Sequence, residues 1–87
     1  MDLKLQGKKA LVLGASRGLG FATARGLALE GCEVAINSRD SRKLGAAAVE
    51  IKDTGGVRVF SIPGDVSDPA FAPQLVSQAV NALGGLD

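Results

Sequence analysis

Short apolar runs alternate with longer segments of helical periodicity along this chain. The runs at 10–13, 34–36 and 57–62 are continuous or nearly so, and glycine or proline follows the first and the last of them. Such runs are typical of strands that are buried on both faces of a parallel sheet. The pattern therefore predicts three buried strands.

The segments between and after these runs predict three helices. The first covers residues 19 to about 30, and the second runs from a cap at Asp40 or Ser41 to residue 55. In the third, which runs to residue 83, Pro69 takes the first helical position after a cap at Ser67. The positions predicted to face the core are Gly20, Ala24, Leu27 and Ala28, then Leu44, Ala47, Ala48 and Ile51, and finally Leu75, Val76, Ala79, Val80 and Leu83.

The resulting order βαβαβα is typical of the α/β class. It predicts a doubly wound parallel sheet of the Rossmann type, with the strands in the order 3-2-1. No linker or low-complexity tract interrupts residues 1–87, so we expect one unit, a partial dinucleotide-binding domain. Leu86 and Asp87 resemble the approach to a fourth strand, and the chain is expected to be a truncated form of the fold.

Composition narrows the classes of function. Ten basic and nine acidic side chains are scattered along the chain, and three Phe stand without Trp or Tyr. This argues against nucleic-acid binding, because there is neither a basic block nor a stacking platform. Apolar runs such as 10–13 are far too short to span a membrane. The single cysteine, Cys32, allows no internal disulfide, so we expect a cytoplasmic setting and interpret Cys32 as a small core residue rather than a reactive thiol.

The chain offers few groups for catalysis. It contains no His and no Tyr, which removes the commonest general acids and bases. The charged residues Glu50, Lys52 and Asp53 fall on the polar side of a helix and are interpreted as solvated. We therefore assign no catalytic residue and no metal ligand.

The first strand-to-helix turn is rich in glycine. It reads Gly-Ala-Ser-Arg-Gly-Leu-Gly over residues 14–20. Glycines at such a turn let the backbone approach a pyrophosphate closely, and the N–H groups at the start of the helix favour an anion. A structural turn is the alternative, but the position after a buried strand and before an amphipathic helix favours a dinucleotide site. The candidate cofactor contacts here are Gly14, Ser16, Arg17, Gly18, Leu19 and Gly20.

The spacing of these glycines resembles that of the short-chain dehydrogenases/reductases. The signature of that family, a small residue followed by Gly-x-x-x-Gly-x-Gly, is matched by residues 13–20, except that Leu13 stands where Thr is most frequent. The entry into the first strand, residues 5–12, is also similar to the family. The resemblance extends over the whole chain.

The end of the second strand indicates which cofactor is bound. An acidic side chain there accepts from the ribose 2′-OH of NAD, whereas a basic one accommodates the 2′-phosphate of NADP. By resemblance to the family, Ser38 occupies the position of that acid and Arg39 follows it. A guanidinium at this point can pair with a phosphate, and Arg17 of the glycine loop lies near the same pocket. We predict NADP(H), and we interpret Asp40 as a helix cap rather than the ribose acid.

The residues after the third strand are expected to meet the adenine. In the family, the Asp-Val pair matched by Asp65 and Val66 binds this base, the carboxylate by accepting from the exocyclic amine. Read without the resemblance, Asp65 could equally begin the turn that precedes Asp68.

The resemblance also implies a reaction, and it indicates which catalytic residues this chain lacks. The family moves a hydride between NADP(H) and a ketone or secondary alcohol, and a ketoacyl- or carbonyl-reductase-like enzyme that forms homo-oligomers is implied for the complete protein. The family requires a Ser-Tyr-Lys set, and the chain contains no tyrosine. The chain alone is therefore expected to be inactive. The alternatives are a non-catalytic nucleotide-binding module that another chain completes, and an inactive remnant.

Overall fold

The computed structural model describes residues 6–16 and 18–86, and it has three strands and three helices in the predicted alternation. The elements are β1 (Lys9–Leu13), α1 (Gly18–Leu29), β2 (Glu33–Ser38), α2 (Ser41–Gly55), β3 (Val59–Pro63) and α3 (Ala72–Leu83). The predicted order of elements is confirmed, and the bounds agree to within two residues except at the start of the third helix.

The three strands form one parallel sheet with β2 in the middle. Val12 of β1 is in register with Ile36 of β2, and Asn37 of β2 is in register with Ile62 of β3. The strand order β1-β2-β3 confirms the predicted order 3-2-1. Because β2 is paired on both sides, its carboxyl end is fixed between the ends of the other two strands.

The side chains of β2 alternate between two hydrophobic clusters, as the pleat of a strand requires. Val34 and Ile36 pack with buried residues of α1 and α2 on one face, and Ala35 packs with buried residues of α3 on the other. Helices therefore cover both faces of the sheet. The core residues of the helices are Ala24, Ala28, Leu44, Ala47 and Ile51 in the first cluster and Leu75, Ala79 and Leu83 in the second.

Cys32 lies in the cluster formed with α1 and α2. It is 2% exposed at the entry to β2. This burial confirms its interpretation as a small core residue.

Polar caps set the bounds of α2. The carboxylate of Asp40 accepts a hydrogen bond from the backbone N–H of Lys43 over 3.0 Å, which is the N-cap geometry. At the other end Gly56 is the C-cap, with a positive φ of 66°, and its N–H donates to the carbonyl oxygen of Lys52. The cap role predicted for Asp40 is confirmed.

The predicted start of the third helix is wrong. Helix α3 begins at Ala72 after Phe71, with a proline in its first turn, and Pro69 lies in the turn before it. The reason is that the polar side chains are engaged locally. The hydroxyl and N–H of Ser67 both donate to Asp65, and Asp68 accepts from the N–H of Ala70 over 2.9 Å. These bonds form two consecutive turns in place of a first helical turn.

The core face predicted for the third helix is too wide. Leu75, Ala79 and Leu83 are buried, as predicted, but Val76 is 48% exposed and Val80 is 37% exposed. Residues four apart share one row of a helix, so Val76 and Val80 form a separate row beside the one that packs on the sheet.

Within the residues that the structure describes, no helix is both long enough and apolar enough to cross a membrane.

Candidate functional site

An open cleft of about 600 Å³ lies at the carboxyl edge of the sheet. The loops that follow β1, β2 and β3 form its walls, because the carboxyl ends of parallel strands meet at one edge. This edge is where open α/β sheets bind their ligands. The lining residues are Gly14, Ser16, Gly18, Asn37, Ser38, Arg39, Gly64, Asp65, Val66 and Ser67.

The glycine loop forms the first wall. Gly14 and Gly18 have positive φ angles of 62° and 64°, which side-chain-bearing residues rarely adopt. A Cβ on Gly20 would lie 2.7 Å from the carbonyl carbon of Gly14 and 2.9 Å from the carbonyl oxygen of Leu13. Helix α1 therefore starts directly against the end of β1, and its first turn contains no acidic residue. The amino end of this helix is suited to an anion.

Two hydrogen bonds connect the glycine loop to the end of β2. The backbone N–H of Ala15 donates to the carbonyl oxygen of Asn37 over 3.0 Å. The hydroxyl of Ser38 donates to the hydroxyl of Ser16 over 3.1 Å. These contacts bring the loop and the strand end, far apart in sequence, into one wall of the cleft.

The charges at the end of β2 are arranged asymmetrically. Arg39 is exposed and lines the cleft, whereas Asp40 caps α2 and is not among the lining residues. The wall next to Ser38 therefore carries a cation and a hydroxyl. Arg17, the second predicted cation, lies outside the described residues.

Asp65 follows β3 on the opposite wall. Its Oδ1 accepts from the hydroxyl of Ser67 over 2.6 Å and from the N–H of Ser67 over 2.9 Å. The Ser67 hydroxyl is the main reason that the pKa of Asp65 lies below its ordinary value, followed by the Ser67 N–H, and the charge of Arg39 lowers it further. Asp65 is thus a carboxylate at neutral pH, which accepts hydrogen bonds. Val66 beside it is 39% exposed.

Most of the residues predicted for the site come together in the cleft. Seven of them line it, namely Gly14, Ser16, Gly18, Ser38, Arg39, Asp65 and Val66. Gly20 contributes the close approach of α1 to β1 instead, and Leu19 is 83% exposed and not among the lining residues. Whether these residues bind a cofactor stays a prediction.

Sequence reasoning missed Asn37, Gly64 and Ser67, which also line the cleft. Asn37 could have been noticed as a polar residue directly after a buried apolar run. Ser67 could have been noticed two residues after Asp65, the spacing of an Asx turn. Gly64 follows the proline that ends the third apolar run, and this position carries no signal beyond the end of a strand.

The described residues hold no group of three or more His, Cys, Asp or Glu side chains that could bind a metal ion.

A second open cleft lies at the other end of β3, between residues 52–53 and 56–60. It contains the guanidinium of Arg58, which lies 5.7 Å from the centre of the Phe60 ring and pairs with Glu33.

The fold and the cleft define a Rossmann-like α/β protein whose loops converge at the carboxyl edge of a parallel sheet. The family model described as short chain dehydrogenase matches residues 8–87. The chain belongs to the short chain dehydrogenase family, as the resemblance predicted.

Curated relatives are similar over nearly the whole chain. The uncharacterized oxidoreductase YhxD of Bacillus subtilis is 45% identical over 85 residues, which cover 97% of this chain and 28% of YhxD. Glucose 1-dehydrogenase of Gluconobacter oxydans is 40% identical over 84 residues, which cover 97% of this chain and 32% of that protein. The chain thus spans about a third of the length of these relatives.

Solved structures of other proteins have the same fold as this chain. L-Sorbose reductase from Gluconobacter frateurii, complexed with NADPH and L-sorbose, has a TM-score of 0.95 at 36% identity, covering 100% of this chain and 33% of that one. A short chain dehydrogenase from Burkholderia cenocepacia in complex with NADP has a TM-score of 0.88 at 40% identity, covering 95% of this chain and 34% of that one. The α/β fold predicted from the sequence is confirmed.

Proposed function

We propose that residues 1–87 are the NADP(H)-binding N-terminal part of a short-chain dehydrogenase/reductase. The observation that carries this proposal is the end of β2. There, Ser38 and Arg39 line the cleft, while the nearby acid, Asp40, is used as a helix cap. An NAD site needs an acid where Ser38 stands, and a 2′-phosphate needs a cation beside it.

Each part of the cofactor has a matching wall in the cleft. The amino end of α1, with the close approach at Gly20, suits the pyrophosphate. The hydroxyls of Ser16 and Ser38 and the guanidinium of Arg39 suit the 2′-phosphate, and Arg17 is proposed to add a second cation. The Asp65 carboxylate, with Val66 beside it, suits the adenine. When bound, the nicotinamide supplies or accepts the hydride, and the residues described here hold the other end of the cofactor.

For the whole protein we propose hydride transfer between NADP(H) and a ketone or secondary alcohol. The names of the relatives support this class, since they include a glucose dehydrogenase and a sorbose reductase. A ketoacyl- or carbonyl-reductase-like activity, a homo-oligomer and a cytoplasmic location are part of the same proposal. The substrate itself is decided by residues beyond this part of the family fold.

Titration of the chain with 2′,5′-ADP and 5′-AMP tests the cofactor assignment, because the two ligands differ by the 2′-phosphate. A charge-assisted contact to phosphate is worth about 1.5–3 kcal/mol, so 2′,5′-ADP is expected to bind roughly ten- to a hundredfold more tightly. Arg39→Ala is expected to remove most of this preference. Arg25→Ala, which changes an exposed cation of α1 outside the cleft, is the matched control. Equal affinities for the two ligands in the unchanged chain would contradict the assignment.

A second candidate is a nucleotide-binding module without catalysis, or an inactive remnant completed by another chain. The observation that favours it is the lack of any Tyr or His among the 87 residues. We expect the chain alone not to oxidise NADPH in the presence of ketones. Turnover that Arg39→Ala abolishes in the same preparation would show that the chain itself is catalytic.

A further inference from the structure

Asn37 is an unusual residue for its position. It follows the apolar residues 34–36 of the central strand, and among the described residues it is the one polar residue that is fully buried, at 0% exposure. It also lines the floor of the cleft, at the point where β2 ends. An apolar side chain would suit the burial equally well, so the presence of an amide requires a reason.

The amide nitrogen of Asn37 bonds to the loop that follows β3. It donates to the carbonyl oxygen of Ile62 over 2.8 Å and to that of Gly64 over 3.3 Å. These two acceptors determine which end of the amide is the nitrogen, because the opposite orientation would set an oxygen against two carbonyl oxygens. One side chain of β2 thus holds both sides of Pro63.

The amide oxygen makes no comparable hydrogen bonds. Asn37 Oδ1 is buried and has no hydrogen-bond partner among the residues that the structure describes. A buried acceptor without a partner destabilises the folded state, and this offsets much of what the two donated bonds contribute. The net contribution of Asn37 to stability is therefore smaller than two donated hydrogen bonds alone would give, and its clearest effect is geometric.

The loop that Asn37 holds leads directly to Asp65. A Cβ on Gly64, whose φ is 154°, would collide with the ring of Phe71, so the ring lies directly against the backbone of the loop at this residue. The amide of Asn37 and the ring of Phe71 together leave the loop little freedom. Asp65 and Val66 then leave the loop toward the cleft, and Ser67 fixes one carboxylate oxygen of Asp65.

We propose that Asn37 is a positioning residue for base recognition. Its amide sets the loop of residues 63–66 so that the Asp65 carboxylate meets the exocyclic amine of the bound adenine. The inference rests on the proposed function, because it assumes that the cleft binds an adenine nucleotide. Asn37 is 0% exposed, so we expect it to act through the loop rather than by contact with the base.

The test compares 5′-AMP with 5′-IMP, in which a carbonyl replaces the exocyclic amine. The unchanged chain is expected to prefer AMP about tenfold or more, because a carboxylate accepts from the amine and repels the carbonyl. Asn37→Leu, which keeps the branched shape of the side chain but removes both donors, is expected to reduce this ratio of affinities to less than about threefold. Its urea midpoint should fall, because the carbonyl oxygens of Ile62 and Gly64 lose their donor. A folded variant that keeps the full AMP/IMP ratio of affinities would overturn the proposal.

Asn37→Asp supplies an isosteric second variant if the leucine variant does not fold. Burial raises the pKa of a carboxyl at this position, and only the protonated form can donate to the Ile62 carbonyl. The AMP/IMP ratio of this variant is expected to be low at about pH 8 and to recover toward about pH 5.5. The other charged groups lining the cleft are Asp65 and Arg39. The hydrogen bonds from Ser67 lower the pKa of Asp65, so it stays a carboxylate over this range and the unchanged chain is expected to give a flat profile. A flat profile in Asn37→Asp would overturn the proposal.

Failure of this inference is distinguishable from failure of the proposed function. If the unchanged chain prefers 2′,5′-ADP to 5′-AMP but its AMP/IMP ratio does not respond to Asn37, only the positioning role is lost. If the unchanged chain binds none of these nucleotides, the proposed function fails first and this inference fails with it.

Discussion

Ser38 at the end of β2 and Ser16 in the glycine loop are joined by a hydrogen bond of 3.1 Å between their hydroxyl oxygens. The contact links the part of the cleft suited to a pyrophosphate with the part suited to a ribose. Arg39 lies immediately beyond it and lines the same cleft. The side chain at position 38 sets the charge next to Arg39, and under the proposed function we expect it to control the preference between NAD and NADP.

Ser38→Asp is expected to reverse that preference. An aspartate at this position repels a 2′-phosphate and accepts from a free 2′-OH. In titrations, we expect the affinity for 2′,5′-ADP to fall tenfold or more, while that for 5′-AMP is unchanged or improved. Ser38→Ala, which removes the hydroxyl without adding charge, is the control and should keep the preference for 2′,5′-ADP. An aspartate variant that still prefers 2′,5′-ADP would mean that the phosphate lies elsewhere.

Two glycines of α1 are predicted to respond oppositely to the same change. In Gly20→Ala, the new Cβ would meet the backbone of Gly14 and Leu13, so either the helix or the loop must move. We expect a loss of about 1–3 kcal/mol in the free energy of unfolding and weaker binding of 2′,5′-ADP. In Gly26→Ala, the Cβ meets nothing within 4 Å, and the better helix propensity should stabilise the chain by up to ~1 kcal/mol. Urea denaturation measures both, and equal effects would contradict the close approach of α1 to β1.

The ion pair between Arg58 and Glu33 is predicted to give a pH-dependent contribution to stability. Arg58 donates to both carboxylate oxygens of Glu33, each over 2.9 Å, and this hydrogen bonding is the main reason that the pKa of Glu33 is lowered from 4.5. A lowered pKa in the folded state stabilises the fold above the unfolded pKa, and the effect is lost as the pH falls through the folded value. Glu33→Gln should therefore lower the melting temperature slightly at pH 7 and make no difference well below pH 4.5.

The control for this prediction is Glu50→Gln. Glu50 is an exposed carboxylate of α2, and its removal should change the melting temperature less than that of Glu33 at pH 7. Added salt should reduce the effect of Glu33→Gln, because the pair is only partly buried. A difference between Glu33→Gln and the unchanged chain that persists at low pH would show that the charge of Glu33 is not its cause.

The 87-residue chain is predicted to self-associate in isolation. Within the described residues, β1 pairs with β2 only, so its other edge presents backbone groups beside an apolar strand in which Leu13 is 49% exposed. Such an edge promotes pairing with another chain. Sedimentation should detect oligomers, and hydrogen exchange should show weak protection at residues 10–13. A compact monomer with strongly protected amides there would disprove the prediction.

A charge on that edge should suppress the association. Leu13→Lys places a cation on β1, whereas Ser61→Lys places one at an exposed position of β3, the opposite edge strand. We expect only the first variant to shift the sedimentation profile toward monomer. An equal response to the two variants would indicate that net charge, rather than the edge of β1, controls association.

The sequence by itself determined the architecture of this protein. Buried strands and amphipathic helices differ in the period of their apolar positions, and that period is local information. Local information therefore predicts the central strand at 34–36, the glycine turn and the cap at Asp40. The order of the strands followed as well, because connections in parallel sheets obey general rules.

Only the structure decided which partner each polar side chain takes. The sequence predicts Pro69 as the first residue of a helix. In the structure α3 begins at Ala72, because Ser67 bonds to Asp65 and forms a turn instead. Asn37 directly follows the second apolar run, and only the structure shows that its amide reaches residues 62 and 64, which are 25 and 27 positions away. A polar side chain has several partners of nearly equal energy within reach, and packing of the whole chain selects among them. Apolar periodicity carries no information about that selection, which is why the fold could be predicted and the fine structure of the cleft could not.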